Sequence, residues 1–329
     1  MNKNFQELLR SRKEISVRYD YDTAAIWCYF NPNTRPCYTM SMLKEIYELQ
    51  LSIIEYFKNN DMKPQIPIRY YILASQTSEI YNYGGDLNLF YKLILEQDRD
   101  TLYEYGKIAT EIIYLNSVNF NLPITTIALV EGTALGGGFE AALSCNILIA
   151  EENTKMGLPE IRFNLFPGMG AYTLLARVLG INQAEDIISS GKVYDTKFLY
   201  DLDIVNILAK SGTGKQTLDK FMKKHTKAFN GMQAILKARH RYKPISRDEL
   251  MDINEIWVDA ALKLEDKDLK VMQKLIKAQN SKSNNMKIKS RTKQDRRVNN
   301  KNITFPFYDS IGNKIFTDRR SGLDRRLCS

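Results

Sequence analysis

Three consecutive glycines and a nearby glutamate stand where an apolar strand-like segment gives way to a helix. In ALVEGTALGGGFEAALSCNILIA (128–150), Gly136–Gly138 remove every side chain from one stretch of backbone, so a ligand can approach the main chain closely. The first amides of the following helix lack partners within the helix and lie at the positive end of its dipole. GGD (84–86) offers a second exposed amide. The sequence therefore predicts an oxyanion site at which two converging amides stabilise charge on a carbonyl oxygen.

Two glutamates near these glycines have the chemistry of a paired acid and base. Glu140 comes three residues after Gly137, which places its carboxylate on the same side of the helix as that amide. Glu160 follows Pro159 at a predicted turn. Two carboxylates beside an oxyanion site can remove a proton next to a carbonyl and protonate a departing hydroxyl. The structural alternative is that Glu140 offsets the helix dipole, that Glu160 is an ordinary first-turn residue and that the glycines allow tight packing.

The other reactive residue types argue against other kinds of site. The two histidines, His225 and His240, lie in lysine- and arginine-rich helical sequence, and the four cysteines are scattered without CxxC pairs. We therefore expect neither a metal centre nor a histidine-based triad. SGTGKQT (211–217) is similar to a phosphate-binding loop, but Ala209 replaces the earlier glycine and Gln216 follows the lysine. We reject that interpretation.

Alternating strand-like and helix-like segments must hold these residues in place. Four segments are short, apolar and rich in strand-forming residues: AAIWCYF (24–30), IPIRYYILAS (66–75), ITTIALV (124–130) and CNILIA (145–150). A helical period runs through 41–60, with Thr39 or Ser41 as its cap. A loop over 79–87 is predicted to lead into a helical stretch that ends at about 119. The alternation predicts an α/β core.

Charge is distributed unevenly along the chain. Residues 281–329 contain 13 Lys/Arg and 4 Asp/Glu, whereas residues 1–280 contain 34 of each kind. We predict an α/β core over 1–212, a helical C-terminal subdomain over 213–280 and a basic tail over 281–329 that is disordered when free. Such a tail can bind nucleic acid, acidic proteins or anionic lipid, but a solvated or partner-docking tail is the simpler interpretation. We do not expect nucleic acid as a partner.

The sequence gives no sign of membrane insertion or export. No window approaches the roughly 20 apolar residues of a membrane span. The first 20 residues are charged throughout and contain no apolar run suited to secretion. We therefore expect a cytoplasmic protein whose cysteines are reduced.

The segment IALVEGTALGGGFEAALSCNILIAEENTKMGLPEIRFNLFPGMGAYTLLARVLG (127–180) resembles the signature of the crotonase, or enoyl-CoA hydratase/isomerase, superfamily. The resemblance covers roughly residues 20–280. Within that superfamily the chain is more similar to the diffusible-signal-factor synthases of bacterial quorum sensing. The matching stretches are FNPNTRPCYT (30–39), ASQTSEIYNYGGDLNLF (74–90), LILEQDRDTLYEYG (93–106) and NLFPGMGAY (164–172). General hydratases usually have an alanine-rich loop in place of QTSEIYNYGGD.

The resemblance implies a fold and a set of site residues. The fold would be a crotonase-like spiral of ββα units with a helical C-terminal subdomain. Gly85 and Gly137 would form the oxyanion hole for a thioester carbonyl, and Glu140 and Glu160 match the two catalytic glutamates. The acyl chain would lie in a pocket, for which the resemblance suggests three further residues: Met169, Trp257 and Leu275. Their structural alternative is ordinary core packing.

The resemblance also implies a reaction and partners. A 3-hydroxyacyl thioester would be dehydrated to a cis-2-enoyl thioester and then hydrolysed, releasing an unsaturated fatty acid signal. The substrate would be carried on the phosphopantetheine of acyl carrier protein or on coenzyme A, with no further cofactor and no metal. Docking of the acidic carrier would use a local basic patch, with Arg35, Arg69 and Arg162 as candidates. The receiver domain of a sensor kinase is a further implied partner, and a trimer-based homo-oligomer is expected.

Two alternative functions remain open from the sequence. An ordinary enoyl-CoA hydratase of fatty-acid degradation would hydrate trans-enoyl-CoA reversibly without releasing a free acid. A regulator that binds a sensor kinase would act without chemistry, so its signalling would survive substitution of both glutamates. Neither the acyl-chain length nor the acid and base assignment of the two glutamates follows from the sequence.

Overall fold

The computed structural model describes residues 3–31, 35–77, 79–277, 279–280, 307–308 and 314–315. Contacts divide the chain into two units, Met1–Ser283 and Asn284–Ser329. In the second unit, Phe307–Tyr308 pairs antiparallel with Lys314–Ile315. Apart from these four residues, the tail that is predicted to be disordered lies outside the described residues. The predicted boundary between the α/β core and the helical subdomain, at 212/213, stays a prediction.

The larger sheet of the first unit contains six strands in the order β1-β2-β3-β5-β7-β10. They are β1 (Ile15–Asp20), β2 (Ala25–Phe30), β3 (Tyr70–Ser75), β5 (Thr125–Val130), β7 (Ile147–Glu151) and β10 (Ile207–Ala209). β1 is antiparallel to β2, and the remaining pairs are parallel. Every residue of β5 is buried. Because β5 is covered on both faces, none of its side chains meets water, which explains the continuous apolar run at 127–130.

A smaller sheet contains four strands in the order β4-β6-β8-β9. They are β4 (Glu79–Asn82), β6 (Gly132–Leu135), β8 (Lys155–Gly157) and β9 (Val193–Asp195). The first three are parallel, and β9 is antiparallel to β8. The prediction of a loop over 79–87 is therefore wrong for Glu79–Asn82. Strands of three or four residues are too short to show the alternating pattern by which a strand is recognised.

Helices of the first unit connect and cover these strands. They are α1 (Lys3–Leu8), α2 (Met40–Lys58), α3 (Leu87–Leu95), α4 (Arg99–Ser117), α5 (Gly137–Ser144), α6 (Ala171–Leu179), α7 (Ile181–Ser190), α8 (Thr196–Asp201), α9 (Gly214–Thr226), α10 (Phe229–Tyr242), α11 (Arg247–Ala261) and α12 (266–277 with 279–280). Thr39 caps α2 as predicted, because its Oγ1 accepts a hydrogen bond of 3.0 Å from Met42 N. The predicted single helical stretch after residue 87 is instead divided into α3 and α4 by Asp98, whose carboxylate caps α4 through Thr101 N at 3.0 Å. Within the described residues, no helix is long and apolar enough to cross a membrane.

Helix α9 covers one face of the larger sheet. Leu218 and Met222 are completely buried in a cluster with side chains from the central strands. The first amides of α9 bind carboxylates of the chain itself: Gly214 N donates to Glu151 Oε1 at 2.8 Å and Lys215 N donates to Glu131 Oε1 at 3.2 Å. The segment that resembles a phosphate-binding loop thus has its helix amides satisfied by two glutamates.

A repeated order of elements positions the site. β3, β4 and α3 follow one another along the chain, as do β5, β6 and α5; β7 and β8 are followed by a short 3₁₀ helix, Glu160–Phe163. In each repeat the first strand lies in the larger sheet and the second in the smaller one. Because β4, β6 and β8 are parallel neighbours, their carboxyl ends meet at one edge of the smaller sheet. The segments that follow them must converge there.

Candidate active site

The edge formed by the ends of β4, β6 and β8 brings together the predicted chemical groups. Gly85 lies three residues after the end of β4, Gly137 two residues after the end of β6, and Glu160 three residues after the end of β8. All three line one cavity. Gly85 and Glu160 are far apart in the chain, and the parallel pairing of three short strands brings them together.

The glycine segments touch each other through their backbones. Gly84 has a positive φ of +88°, and a Cβ atom there would lie 2.8 Å from Gly137 N and 2.7 Å from Leu135 O. A Cβ atom at Gly137 would lie 3.5 Å from Gly85 N. Only glycine fits at position 84, because another residue would be strained in φ and would collide with backbone atoms. The absence of side chains therefore places the amides of Gly85 and Gly137 side by side.

These two amides are available to a ligand. The neighbours of Gly85 are held: Gly84 O accepts from Tyr38 N at 2.7 Å, and Asp86 N donates to Tyr105 Oη at 3.3 Å. Neither the Gly85 N–H nor the Gly137 N–H has an acceptor among the residues that the structure describes. Unpaired amides at a helix start and a bend form an oxyanion hole when they converge on one point.

Glu140 is buried beside these amides, with an exposed fraction of 1%. Its Oε1 accepts hydrogen bonds from Met169 N at 2.8 Å and from Ala171 N at 3.0 Å. The bend between these donors depends on Gly170, whose φ is +117°. Burial raises the pKa of Glu140 to about 7, and the two amide donors oppose that rise because they favour the charged form.

Glu160 lies at the same cavity without comparable support. Its Oε2 is buried and has no hydrogen-bond partner in the described part of the chain. Its Oε1 is 2.4 Å from the place that a Cβ atom of Gly136 would take, so the third glycine makes room for this carboxyl group. Burial raises the pKa of Glu160 to about 8, and the nearby charge of Glu140 adds to the rise.

The two carboxyl groups titrate as a pair. Two buried like charges are unfavourable together, so near neutral pH the pair holds one proton. Two amides, those of Met169 and Ala171, favour the charged form of Glu140, whereas Glu160 has only its own backbone amide for this purpose and its Oε2 has no partner in the described part of the chain. The proton therefore resides preferentially on Glu160. A pair with one proton can give a proton at one point of a small molecule and accept one at another.

The cavity has a volume of about 130 Å³ and mostly apolar walls. Its lining comprises Tyr83, Gly85, Leu87, Phe90, Tyr105, Gly106, Leu135, Gly136, Gly137, Glu140, Pro159, Glu160, Phe163, Leu165, Gly168, Met169, Asn254, Trp257, Leu275 and Gln279. A hydrophobic slot beside a polar centre is suited to a molecule with an apolar chain and one reactive polar end.

Glycines make room for the side chains that form the walls. A Cβ atom at Gly85 would lie 2.5 Å from the Phe90 ring, and one at Gly168 would lie 2.3 Å from the ring of Trp257. Phe90 and Trp257 contact each other edge to face, with ring centroids 5.1 Å apart. Glycines at these points thus allow the two aromatic rings to pack against the backbone and enclose the slot.

All seven residues predicted for the site line this one cavity: Gly85, Gly137, Glu140, Glu160, Met169, Trp257 and Leu275. The structure therefore brings the predicted oxyanion amides, the two glutamates and the three predicted acyl-pocket residues together. Their chemical roles remain predictions.

Several residues that shape the site were missed in the sequence. Gly84 sets the approach of the two amides, and Asn82 holds it by accepting from Gly84 N through Oδ1 at 2.8 Å. A Cβ atom at Gly106 would lie 1.8 Å from Asn254 Oδ1, so the glycine allows α4 and α11 to pack closely at the cavity wall. A glycine within a helical pattern is a signal of such an approach, and Gly106 could have been found by it.

Two of the three arginines proposed for carrier docking are engaged in other contacts. Arg35 forms a two-pronged ion pair with Asp86, whose carboxylate also caps α3 through Leu89 N at 3.3 Å. The guanidinium of Arg69 lies 5.8 Å from the centre of the Phe229 ring. Arg162 is exposed beside Glu160 on the 3₁₀ helix. The pair between Arg35 and Asp86 stabilises the turn that carries Gly85.

Comparison with known proteins gives similarities over the same region. Residues 48–242 match the family described as enoyl-CoA hydratase/isomerase. A probable enoyl-CoA hydratase of Bacillus subtilis (strain 168) is 36% identical over 139 residues, which cover 42% of this chain and 52% of that protein. The human mitochondrial methylglutaconyl-CoA hydratase is 35% identical over 136 residues, which cover 41% of this chain and 38% of that protein. The matched segments thus span about half or less of these curated relatives.

A solved structure extends the likeness over most of the chain. The crystal structure of an enoyl-CoA hydratase from Bacillus halodurans has a TM-score of 0.65 at 20% identity, covering 81% of this chain and 100% of that chain. At this level of identity the likeness concerns the fold alone. It confirms the predicted crotonase-like α/β fold with a helical C-terminal region.

Proposed function

The chain belongs to the enoyl-CoA hydratase/isomerase family, and from that premise we propose that it dehydrates a 3-hydroxyacyl thioester. The product would be a cis-2-enoyl thioester, which the same site then hydrolyses to release an unsaturated fatty acid that acts as a quorum-sensing signal. The observation that carries the proposal is the pair of buried carboxyl groups, Glu140 and Glu160, beside two unpaired amides in an apolar cavity.

Dehydration follows from the proton count of this pair. The thioester carbonyl accepts hydrogen bonds from Gly85 N and Gly137 N, which stabilise the enolate that forms when C2 loses a proton. The charged carboxylate takes the C2 proton, and the protonated carboxyl group gives its proton to the C3 hydroxyl, which leaves as water. The pair ends the reaction with the single proton it began with. The same cycle in reverse adds water, so the site supports both directions.

Thioester hydrolysis reuses the same groups. A charged carboxylate takes a proton from water, and the oxygen attacks the thioester carbon to form a tetrahedral oxyanion held by the two amides. The carbon–sulfur bond then breaks, and the departing sulfur takes the proton of the other carboxyl group. A free acid and a thiol result, and the pair again retains one proton.

The proposal also specifies the carrier that presents the acyl group. The resemblance of the loop over 74–90 to diffusible-signal-factor synthases favours acyl carrier protein, whose phosphopantetheine presents the thioester; coenzyme A presents the same group. We propose no other cofactor and no metal. We also propose a trimer-based oligomer in the cytoplasm and a second role in binding the receiver domain of a sensor kinase.

An ordinary enoyl-CoA hydratase is the second candidate. It is favoured by the family match over 48–242 and by the similarity to the probable enoyl-CoA hydratase of Bacillus subtilis. The first step uses the same proton transfers in both cases, so the two candidates differ in the carrier, in the cis or trans geometry of the double bond and in release of the acid.

Mass spectrometry of the products distinguishes these functions. Purified protein is given 3-hydroxyacyl carrier protein in one reaction and trans-2-enoyl-CoA in another. The proposal predicts a free cis-2-enoic acid from the first substrate, and loss of that product in Glu140→Gln and Glu160→Gln. Reversible hydration of enoyl-CoA without a free acid would instead establish the second candidate. If signalling in cells survives both substitutions unchanged, binding rather than chemistry is the function.

A further inference from the structure

Four lysines form a stripe along α12. Lys267, Lys270, Lys274 and Lys277 are separated by three, four and three residues, so they lie on one side of the helix. All four are exposed. Lys267 pairs with Glu265 at 2.8 Å, whereas the other three form no ion pair with any described residue. The three unpaired lysines span about 10 Å of helix, at about 1.5 Å per residue.

The opposite side of the same helix forms a wall of the cavity. Leu275 and Gln279 line the cavity, and Met272 beside them is fully buried. Gln279 Nε2 donates a hydrogen bond of 3.2 Å to Tyr83 O, on the segment that leads to the oxyanion glycines. The helix therefore separates the reactive centre from a positively charged outer surface by its own thickness.

Helix α12, which carries the stripe, also contributes to the part of the cavity that meets solvent. Seven lining residues keep partial exposure and mark this entrance: Gly85, Leu87, Leu135, Pro159, Glu160, Leu275 and Gln279. Two of these seven belong to α12. A partner that holds the substrate by a flexible arm could thus rest on α12 while the arm enters the cavity.

The stripe is a local concentration of positive charge on a folded region whose overall charge is balanced. Residues 1–280 contain equal numbers of basic and acidic residues, 34 of each. An unpaired row of lysines on a neutral body is a local feature, to which an acidic surface is drawn at low ionic strength. We propose that the stripe of Lys270, Lys274 and Lys277 is the docking surface for the acidic carrier protein that delivers the hydroxyacyl thioester. This inference rests on the proposed function.

A triple charge reversal tests the docking surface. Lys270→Glu, Lys274→Glu and Lys277→Glu are combined, and turnover is measured with 3-hydroxyacyl carrier protein and with the same acyl group on pantetheine. Because the stripe does not line the cavity, the pantetheine thioester should be turned over at the wild-type rate. For the carrier substrate, KM should rise by roughly tenfold or more while kcat changes little. Added salt should raise the KM of wild type for the carrier and leave that of the variant nearly unchanged.

A matched variant controls for net charge. Lys220, Lys223 and Lys224 are exposed on α9, which packs on the larger sheet and contributes nothing to the cavity lining. Their combined reversal to glutamate changes the net charge by the same amount. This variant should keep the wild-type KM for the carrier substrate. An equal rise of KM in both variants would mean that overall charge, not the stripe, governs the encounter, and would overturn the inference.

The remaining outcomes separate the two proposals. If wild type converts both thioesters and the stripe variant matches it on the carrier, the docking surface is wrong and the proposed reaction stands. If wild type converts only coenzyme A thioesters, or neither thioester, the proposed carrier-dependent function fails and the docking surface fails with it. Loss of turnover with pantetheine in the stripe variant would also contradict the inference, because it would place these lysines in the reaction itself.

Discussion

Substitution of Glu160 by glutamine should stabilise the protein while it removes activity. Burial raises the pKa of Glu160 from its ordinary value of 4.5 to about 8. Because the folded state retains a proton that the unfolded chain loses, stability falls as pH rises from the unfolded to the folded pKa. The penalty is absent below pH 4.5 and complete above pH 8. At about 1.4 kcal/mol per pH unit, it amounts to roughly 3 kcal/mol at pH 7. Glutamine carries no such penalty.

A buried amide without partners costs about 1 kcal/mol, so the net gain at neutral pH should be about 2 kcal/mol. Urea unfolding of wild type and Glu160→Gln at about pH 5 and about pH 7.5 measures it, and the advantage of the variant should be greater at the higher pH. Glu255→Gln, at an exposed position of α11, is the matched control and should show no such difference. Turnover of the variant should fall by roughly 10²–10⁴-fold. An advantage that is equal at both pH values, or that shrinks as pH rises, would refute the reasoning.

Three further substitutions test other parts of the site. Glu140→Gln should retain the fold, because the glutamine oxygen can still accept hydrogen bonds from Met169 N and Ala171 N. Its turnover, measured by mass spectrometry, should fall by roughly 10²–10⁴-fold. Near-normal turnover would contradict the proposed role of Glu140. Gly84→Ala should lower the free energy of unfolding by about 1–3 kcal/mol, because φ is +88° and the new Cβ would lie 2.8 Å from Gly137 N; an unchanged Tm would contradict it. Trp257→Ala removes a cavity wall, so KM should rise more for long-chain than for short-chain thioesters, and an equal rise would show that the ring does not contact the chain.

The chemical centre could be predicted because its residues depend on local backbone properties. Gly136–Gly138 and Glu140 lie within one strand-to-helix segment, where the need for a bare backbone and a nearby carboxylate is visible in the spacing. The buried strands β2, β3, β5 and β7 were predicted for a similar reason, since continuous apolar runs reflect burial on both faces. The Thr39 cap is also a local signal, and the structure has it.

The rest depends on contacts between distant segments, which leave weaker marks in a single sequence. β4, β6 and β8 owe their existence to pairing with one another, and each is too short for a period to appear. The position of Asn254 against Gly106 joins two helices that are far apart in the chain. The spacing of the lysines puts them on one side of α12, but only the placement of that helix shows that its other side, with Leu275 and Gln279, lines the cavity.

Deuterium exchange at C2 is the most direct measure of proton removal at this site. A 3-hydroxyacyl thioester is incubated with the protein in heavy water, and label at C2 of the recovered 3-hydroxyacyl thioester is followed by mass spectrometry. Deuterium enters C2 when dehydration is reversed, because a carboxyl group that has exchanged with solvent returns a deuteron to C2 as water is added back. If the amides of Gly85 and Gly137 hold the carbonyl while Glu140 and Glu160 move protons, wild type should incorporate deuterium at C2, and Glu140→Gln and Glu160→Gln should not. Exchange that persists in both variants, or that is absent from wild type, would contradict the account.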